Sequence, residues 1–328
     1  MTTLLQRIRP VLGLPHVGSA FDRGVAYHAE RRHLKALRLW KRASTRANTE
    51  AQYRIGLLYV RGEGVLRSVP DAVVWYKRAA ETGHAEAAYQ LALIYYNGGG
   101  AAQAPDSPER WLKAASEHDD AMAGQTLRLL FPNGIVIEKD PEQAFHWMKV
   151  AAEAGKPEAK ALLGEMYRRG LGCAQDYDEA RRWYSSAAEE GGVASAEFGL
   201  GDLYYQGLGV SVDLAAAADW YQKAAEKGDA RGQVALGSLY LSGQGRPANA
   251  DEAGRWFVKA AEQGEARGLY NAALLYLRGN GLVTNLDRAE TYLRKAAKQD
   301  YLPAIIALAE LFTRGKGIPP NLPEAAQW

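Results

Sequence analysis

Short Gly-x-Gly loops recur along this 328-residue chain at a nearly fixed interval, and that interval constrains the fold more than any other feature. Their first glycines are Gly62, Gly98, Gly134, Gly170, Gly207, Gly243, Gly279 and Gly315. The steps are 36 residues, except for 37 between Gly170 and Gly207. A second glycine follows two residues later in every copy but the third, where Val136 stands. Self-similarity at a period of about 20–50 residues signals units that bury their apolar faces only by stacking on one another.

Other positions keep the same register. Three residues before the first glycine is an aromatic: Tyr59, Tyr95, Phe131, Tyr167, Tyr204, Tyr240, Tyr276 or Phe312. Six before it is a small residue (Gly56, Ala92, Gly164, Gly201, Gly237, Ala273, Ala309), with Arg128 the exception. Thirteen after it comes Trp75, Trp111, Trp147, Trp183, Trp220, Trp256, Tyr292 or Trp328. An i, i+3, i+4 apolar pattern such as Ile55, Leu58, Tyr59 predicts an amphipathic first helix ending at the first glycine, which suits a left-handed C-cap. Asp140, Asp176, Asp213, Asn249, Asn285 and Asn321 then stand where an N-cap is wanted. The second helix is expected to end at Gly83, Gly155, Gly191, Gly228 or Gly264, with Asp119 and Asp300 in their place twice. The small residue of the first helix lets the second approach, and the Trp is expected to fill the space between neighbouring hairpins.

Charge is balanced overall, 40 Lys and Arg against 38 Asp and Glu, which gives no reason to expect nucleic acid as a partner. Residues 1–50 carry ten basic against three acidic side chains, and Arg31, Arg32, Lys35, Arg38, Lys41, Arg42 and Arg46 read as the solvated face of one helix. The single cysteine, Cys173, rules out an internal disulfide framework. No stretch approaches the roughly 20 apolar residues of a membrane span. The expected compartment is the reducing cytoplasm, unless a leader precedes this sequence.

Catalytic chemistry finds no foothold. The Gly-x-Gly loops follow helices and lack the third glycine of a dinucleotide fingerprint, and there is no phosphate-binding loop, no G-x-S-x-G and no Ser-x-x-Lys. The six histidines form no H-E-x-x-H and none pairs with cysteine at zinc spacing, so no cofactor or metal is expected.

The loops RGEGV, RGLGC, QGLGV and RGKGI, with the helices WYKRAAETG and WYQKAAEKG, resemble the Sel-one-like repeat family, a relative of the tetratricopeptide repeats, over residues 49–328. The resemblance implies an all-α, right-handed superhelical solenoid of tandem helix-turn-helix repeats. Residues 19–48 resemble an ordinary tetratricopeptide hairpin (Gly24, Tyr27, Ala36, Trp40, Ala43) that caps the array, with residues 1–18 as a tail. Similar proteins act in bacteria in signalling, envelope regulation and polysaccharide production. The implied function is an adaptor, not an enzyme, that binds a protein or peptide on the first-helix, concave face. Rows on that face single out Tyr89, Tyr96, Phe198, Asp202, Tyr205, Arg231, Arg267 and Tyr270 as the expected partner-binding residues. Tyr and Arg are the side chains that most often anchor interfaces.

Two irregularities stand out. The third repeat departs from the pattern at Arg128, Pro132 and Ile135-Val136-Ile137-Glu138-Lys139, as a bend, a partner contact or drift. The sequence stops at Trp328 within a second helix, which suggests that the protein continues; the alternative to an adaptor is then an N-terminal targeting or dimerisation module of a longer enzyme whose catalytic domain lies beyond residue 328. Terminal repeats left exposed would also allow self-association.

Overall fold

The computed structural model describes residues 18–45, 48–97, 139–315 and 320–328, and among them helices are the only regular element. In chain order these are α1 Ala20–Ala29, α2 His33–Ser44, α3 Thr49–Arg61, α4 Val69–Glu81, α5 Ala85–Asn97, α6 Pro141–Glu153, α7 Pro157–Arg169, α8 Tyr177–Gly191, α9 Ala194–Gln206, α10 Leu214–Glu226, α11 Ala230–Ser242, α12 Ala250–Glu262, α13 Ala266–Arg278, α14 Leu286–Ala297, α15 Leu302–Arg314 and α16 Leu322–Ala325. They fall into two compact units, Met1–Met166 with Gly170–Ala174, and Tyr167–Arg169 with Gln175–Trp328. Each unit is a run of antiparallel helix pairs, an all-α solenoid architecture. The basic side chains Arg31, Arg32, Lys35, Arg38, Lys41 and Arg42 are all exposed, a solvated face.

Each hairpin is closed by the same backbone device. The first glycine sits in the left-handed region, with φ of +70° at Gly62, Gly207 and +71° at Gly243. Its N–H donates to the carbonyl four residues back, at Leu58, Leu203 and Leu239. The next N–H donates to that same carbonyl, so a helix-end acceptor is satisfied twice. The carbonyl of the conserved-register aromatic then accepts from the N–H of the next helix's cap. Ser68 donates to Tyr59, Asp176 to Tyr167, Asp213 to Tyr204, Asn249 to Tyr240 and Asn285 to Tyr276, all within 2.8–3.1 Å. The expected caps accept from their helices' first turns, as Asp213 does from Ala216 N–H at 2.9 Å. Ser68 does the same for Asp71 at 3.3 Å. Such a cap contributes about 1 kcal/mol per helix.

The core is a glycine facing a ring. A Cβ at Gly56 would lie 2.5 Å from the Tyr76 ring, one at Gly201 2.5 Å from Tyr221, and one at Gly237 2.8 Å from Phe257. In the seventh repeat the pair is Ala273 and Leu293, both fully buried in one cluster. The expectation for the tryptophans needs correcting here. Tyr76, Met148, Tyr184, Tyr221 and Phe257, each one residue after a Trp, are the deeply buried side chains, at 0–3% exposure. Trp147 is buried as expected, at 6% exposure, but Trp75, Trp183, Trp220 and Trp256 are only half-buried. The reason is helical phase: Ala72, Tyr76 and Ala79 define the buried stripe at i, i+4, i+7, and Trp75 lies on its flank. There the indole is faced by a cation, with Lys223 Nζ 3.7 Å from the Trp220 ring centroid and Lys259 Nζ 4.0 Å from that of Trp256.

A second correction concerns the 37-residue step. Gly191 does not end its helix; α8 includes it, and Gly192 takes the left-handed cap at φ +58°. The extra residue is therefore absorbed at the C-terminal end of α8, which runs to 15 residues where α10 and α12 have 13. Asp300 occupies the glycine position of its own repeat at φ +58°, a conformation that Asp tolerates better than most residues.

Within the first unit, α5 closes its hairpin with α6. Asp140 N–H donates to the Tyr95 carbonyl at 3.0 Å, the same clip as in the other repeats. Lys156 reaches Glu86 at 2.7 Å and lies 4.8 Å over the Tyr89 ring. His84 likewise reaches Glu50 at 3.0 Å and stacks on Tyr53 at 4.7 Å. Tyr95 and Asp140 are 45 positions apart where Tyr59 and Ser68 are nine apart, a difference of 36, one repeat length. The pairing is physically natural because every second helix presents an equivalent face, so a first helix can close on the one a repeat further along. The expectations about Arg128, Pro132, Phe131 and the loop 135–138 lie outside the described residues.

Two outcomes are expected. Deleting residues 99–134 restores the nine-position loop between Tyr95 and Asp140. The shortened chain should unfold cooperatively with a midpoint within a few degrees of the parent; circular dichroism showing helix lost beyond the deleted share would contradict the α5–α6 pairing. The second concerns glycines. A Cβ at Gly228 meets nothing within 4 Å, whereas one at Gly245 would sit 2.1 Å from the Leu214 carbonyl oxygen, and both residues have positive φ. Gly228→Ala should cost about 1–2 kcal/mol from backbone conformation alone. Gly245→Ala should cost clearly more when the two variants are compared by urea titration, because a backbone carbonyl must move.

Candidate functional site

In the second unit, the first helices α9 and α11 lie on either side of a groove of about 450 Å³. Helical periodicity builds its walls. Phe198, Asp202 and Tyr205 line it from α9 at i, i+4, i+7, and Arg231, Ala235, Ser238 and Ser242 line it from α11 at i, i+4, i+7, i+11. Arg267, in the first turn of α13, closes one side, and Tyr221 of α10 lies beneath.

The rings form a continuous surface. Phe198 and Tyr221 have centroids 5.6 Å apart, and Tyr205 and Tyr221 6.3 Å. The Tyr221 hydroxyl donates to Asp202 Oδ1 at 2.7 Å. Burial, followed by the negative charge of Asp202, pushes this phenol far above its ordinary range. It stays protonated and fixes the carboxylate's orientation.

The two arginines differ in their engagement. The Arg231 guanidinium lies 4.6 Å over the Phe198 ring and pairs with Asp229 at 3.0 Å. Arg267 is exposed and has no ion-pair partner among the described residues. The Ser238 and Ser242 hydroxyls donate to the carbonyls of Val234 and Leu239, so neither is held by a base as a nucleophile would be. The groove therefore offers aromatic surface, one oriented carboxylate and two guanidinium groups, chemistry suited to binding.

Five of the eight residues singled out in the sequence, Phe198, Asp202, Tyr205, Arg231 and Arg267, thus meet around one groove. The other three lie apart from it. Tyr270 packs edge-on against Tyr301 at 5.6 Å. Tyr89, in the first unit, is half-buried beneath Lys156, and Tyr96 of the same helix is 38% exposed. Tyr221 lies outside that set of eight because the Trp before it is the larger and more regular residue of the repeat. Its signal was present: the residue after the Trp is Tyr or Phe at Tyr76, Tyr184, Tyr221 and Phe257. Cys173 is half-buried, its Sγ 3.7 Å from the Met166 carbonyl oxygen. Among the described residues no helix is long and apolar enough to cross a membrane.

Solved structures share this architecture. A protective antigen of uropathogenic Escherichia coli strains, displaying an SLR fold, is 27% identical with a TM-score of 0.73. The match covers 99% of this chain and 62% of the antigen, so the chain spans less than two thirds of that protein's length. A Sel1 repeat protein from Oxalobacter formigenes is also 27% identical, with a TM-score of 0.67 over 85% of this chain and 97% of its own. None of the curated proteins matches the chain. The model of the Sel1 repeat matches residues 49–84, 85–120, 130–156, 157–192, 194–229, 230–265, 266–301 and 302–328, and the chain belongs to the Sel1 repeat family.

Proposed function

We propose that this protein is a non-catalytic interaction scaffold that holds a peptide segment of a partner protein in the groove between α9, α11 and the start of α13. Sel1 repeat proteins generally act as protein-interaction scaffolds, and the observation that carries the specific reading is the convergence of Phe198, Tyr205, Arg231 and Arg267 on one groove floored by Tyr221. A bound segment would set an apolar or aromatic side chain against the rings of Phe198 and Tyr205 and a carboxylate against Arg267. The guanidinium is the better half of that contact because it presents a planar fork of donors to a carboxylate. Tyr221 serves as a fixed support, since its hydroxyl is already committed to Asp202.

Peptides selected from a random displayed library on the full chain should therefore carry an acidic residue near a large apolar one. Their Kd should rise at least tenfold in Tyr205→Ala and in Arg267→Ala, about 1.4 kcal/mol each. It should be unchanged in Leu34→Ala, an exposed apolar residue of the N-terminal hairpin. Selected peptides that bind all three variants as they bind the parent would place recognition away from this groove.

A further inference from the structure

The first Gly-x-Gly loop differs from the others in what it carries between its glycines. Glu63 stands between Gly62 and Gly64, whereas Leu171, Leu208, Gln244 and Asn280 take that place elsewhere among the described loops. Both glycines have φ near +70°, which lays the loop flat against the start of α2, where a Cβ on Gly64 would lie 2.6 Å from His33 Cβ. That docking brings the Glu63 carboxylate to two imidazoles. Glu63 Oε2 is 2.9 Å from His28 Nε2 and 3.8 Å from His33 Nδ1. The candidate ligand atoms of all three residues lie within 4.8 Å of one another.

From this juxtaposition we propose that His28, His33 and Glu63 form a divalent metal site, best suited to zinc, which pins the N-terminal hairpin to the first Sel1 repeat. The donor set of two imidazoles and one carboxylate is that of three-ligand zinc sites with a fourth position open to water. Zinc bonds of about 2.0–2.2 Å place neighbouring donors about 3.4 Å apart, and the observed 2.9 and 3.8 Å bracket that spacing. His33 Nδ1 supplies an independent reason. It is shielded from solvent and has no hydrogen-bond partner, an unsatisfied polar atom aimed at a carboxylate it does not reach. A cation between the two satisfies both.

The surroundings are compatible with such a site. Arg61 approaches the other carboxylate oxygen, Oε1, at 3.8 Å and leaves Oε2 to the histidines. Ligation requires an ionised carboxylate and neutral imidazoles, so zinc binding should release protons and strengthen as pH rises. The His28 ring rests 5.4 Å from that of Trp40, and the three side chains are 22–30% exposed, which leaves the fourth position a path to solvent.

The test is a zinc titration of the chelator-treated full chain, followed by calorimetry and by competition with a chromophoric chelator. One zinc per chain is expected. Binding should weaken at least tenfold in His28→Ala, His33→Ala and Glu63→Gln. The His84→Ala variant, which loses the separate His84–Glu50 pair, should bind like the parent. Zinc should raise the thermal midpoint of the parent and leave that of Glu63→Gln unmoved, and cobalt should give a visible absorption band only where the three ligands are intact. Glu63→Gln is nearly isosteric, and circular dichroism on each variant confirms that a loss reflects the ligand and not unfolding. Absence of stoichiometric zinc, or affinity unchanged in Glu63→Gln and His33→Ala, would overturn the proposal.

Discussion

A missing Cβ facing an aromatic ring sets how closely the two helices of a hairpin approach. Gly56, Gly201 and Gly237 each leave room for the ring opposite, where a methyl would sit 2.5–2.8 Å from ring carbons. Burying such a ring contributes on the order of 2–3 kcal/mol, and the contact recurs along the chain. Much else follows from that spacing. It brings the cap N–H of the second helix within reach of the aromatic residue's carbonyl, and it holds the Gly-x-Gly loop where its second glycine meets the preceding second helix at Pro141, Leu214 or Ala250. The binding groove inherits the same geometry. Tyr221 is a core ring, and because Gly201 holds it beside α9 its hydroxyl reaches Asp202, the residue after that glycine.

Equivalence between repeats gives the array a freedom that single-core domains lack. The Glu86–Lys156 pair and the cation over Tyr89 reproduce the Glu50–His84 pair and the ring over Tyr53, although the intervening chain is 36 residues longer. Each interface depends on its immediate neighbours. A first helix therefore distinguishes poorly between the second helix of its own repeat and that of the next.

Local rules made most of this legible in the sequence. Glycine spacing and the Asp and Asn caps are short-range signals, and Asp213, Asn249 and Asn285 cap the helices they were expected to cap. The phase of the second helix was misjudged because Trp is the larger and more regular residue, although the stripe through Ala72 and Ala79 passes through Tyr76. The α5–α6 pairing was not legible, since the two alternatives differ by one repeat and present the same pattern. Nor was the meeting of His28, His33 and Glu63, whose members come from a helix end, a helix start and a loop 30 residues on. Linear motif spacing has no access to such a set. The groove was legible as rows on one helix face, except for Tyr221, which belongs to the other helix of the hairpin.

A double-mutant cycle at Gly237 and Phe257 tests the glycine–ring contact most directly, since neither residue lines the groove. In the parent background, Gly237→Ala should destabilise by about 1–3 kcal/mol, because overpacking against the Phe257 ring outweighs the ~1 kcal/mol gained in helix propensity. In the Phe257→Leu background the pair becomes Ala opposite Leu, as at Ala273 and Leu293. The same substitution should then be neutral or stabilising in urea-induced unfolding. An equal cost in both backgrounds would contradict the account and show that the glycine answers to something other than the ring.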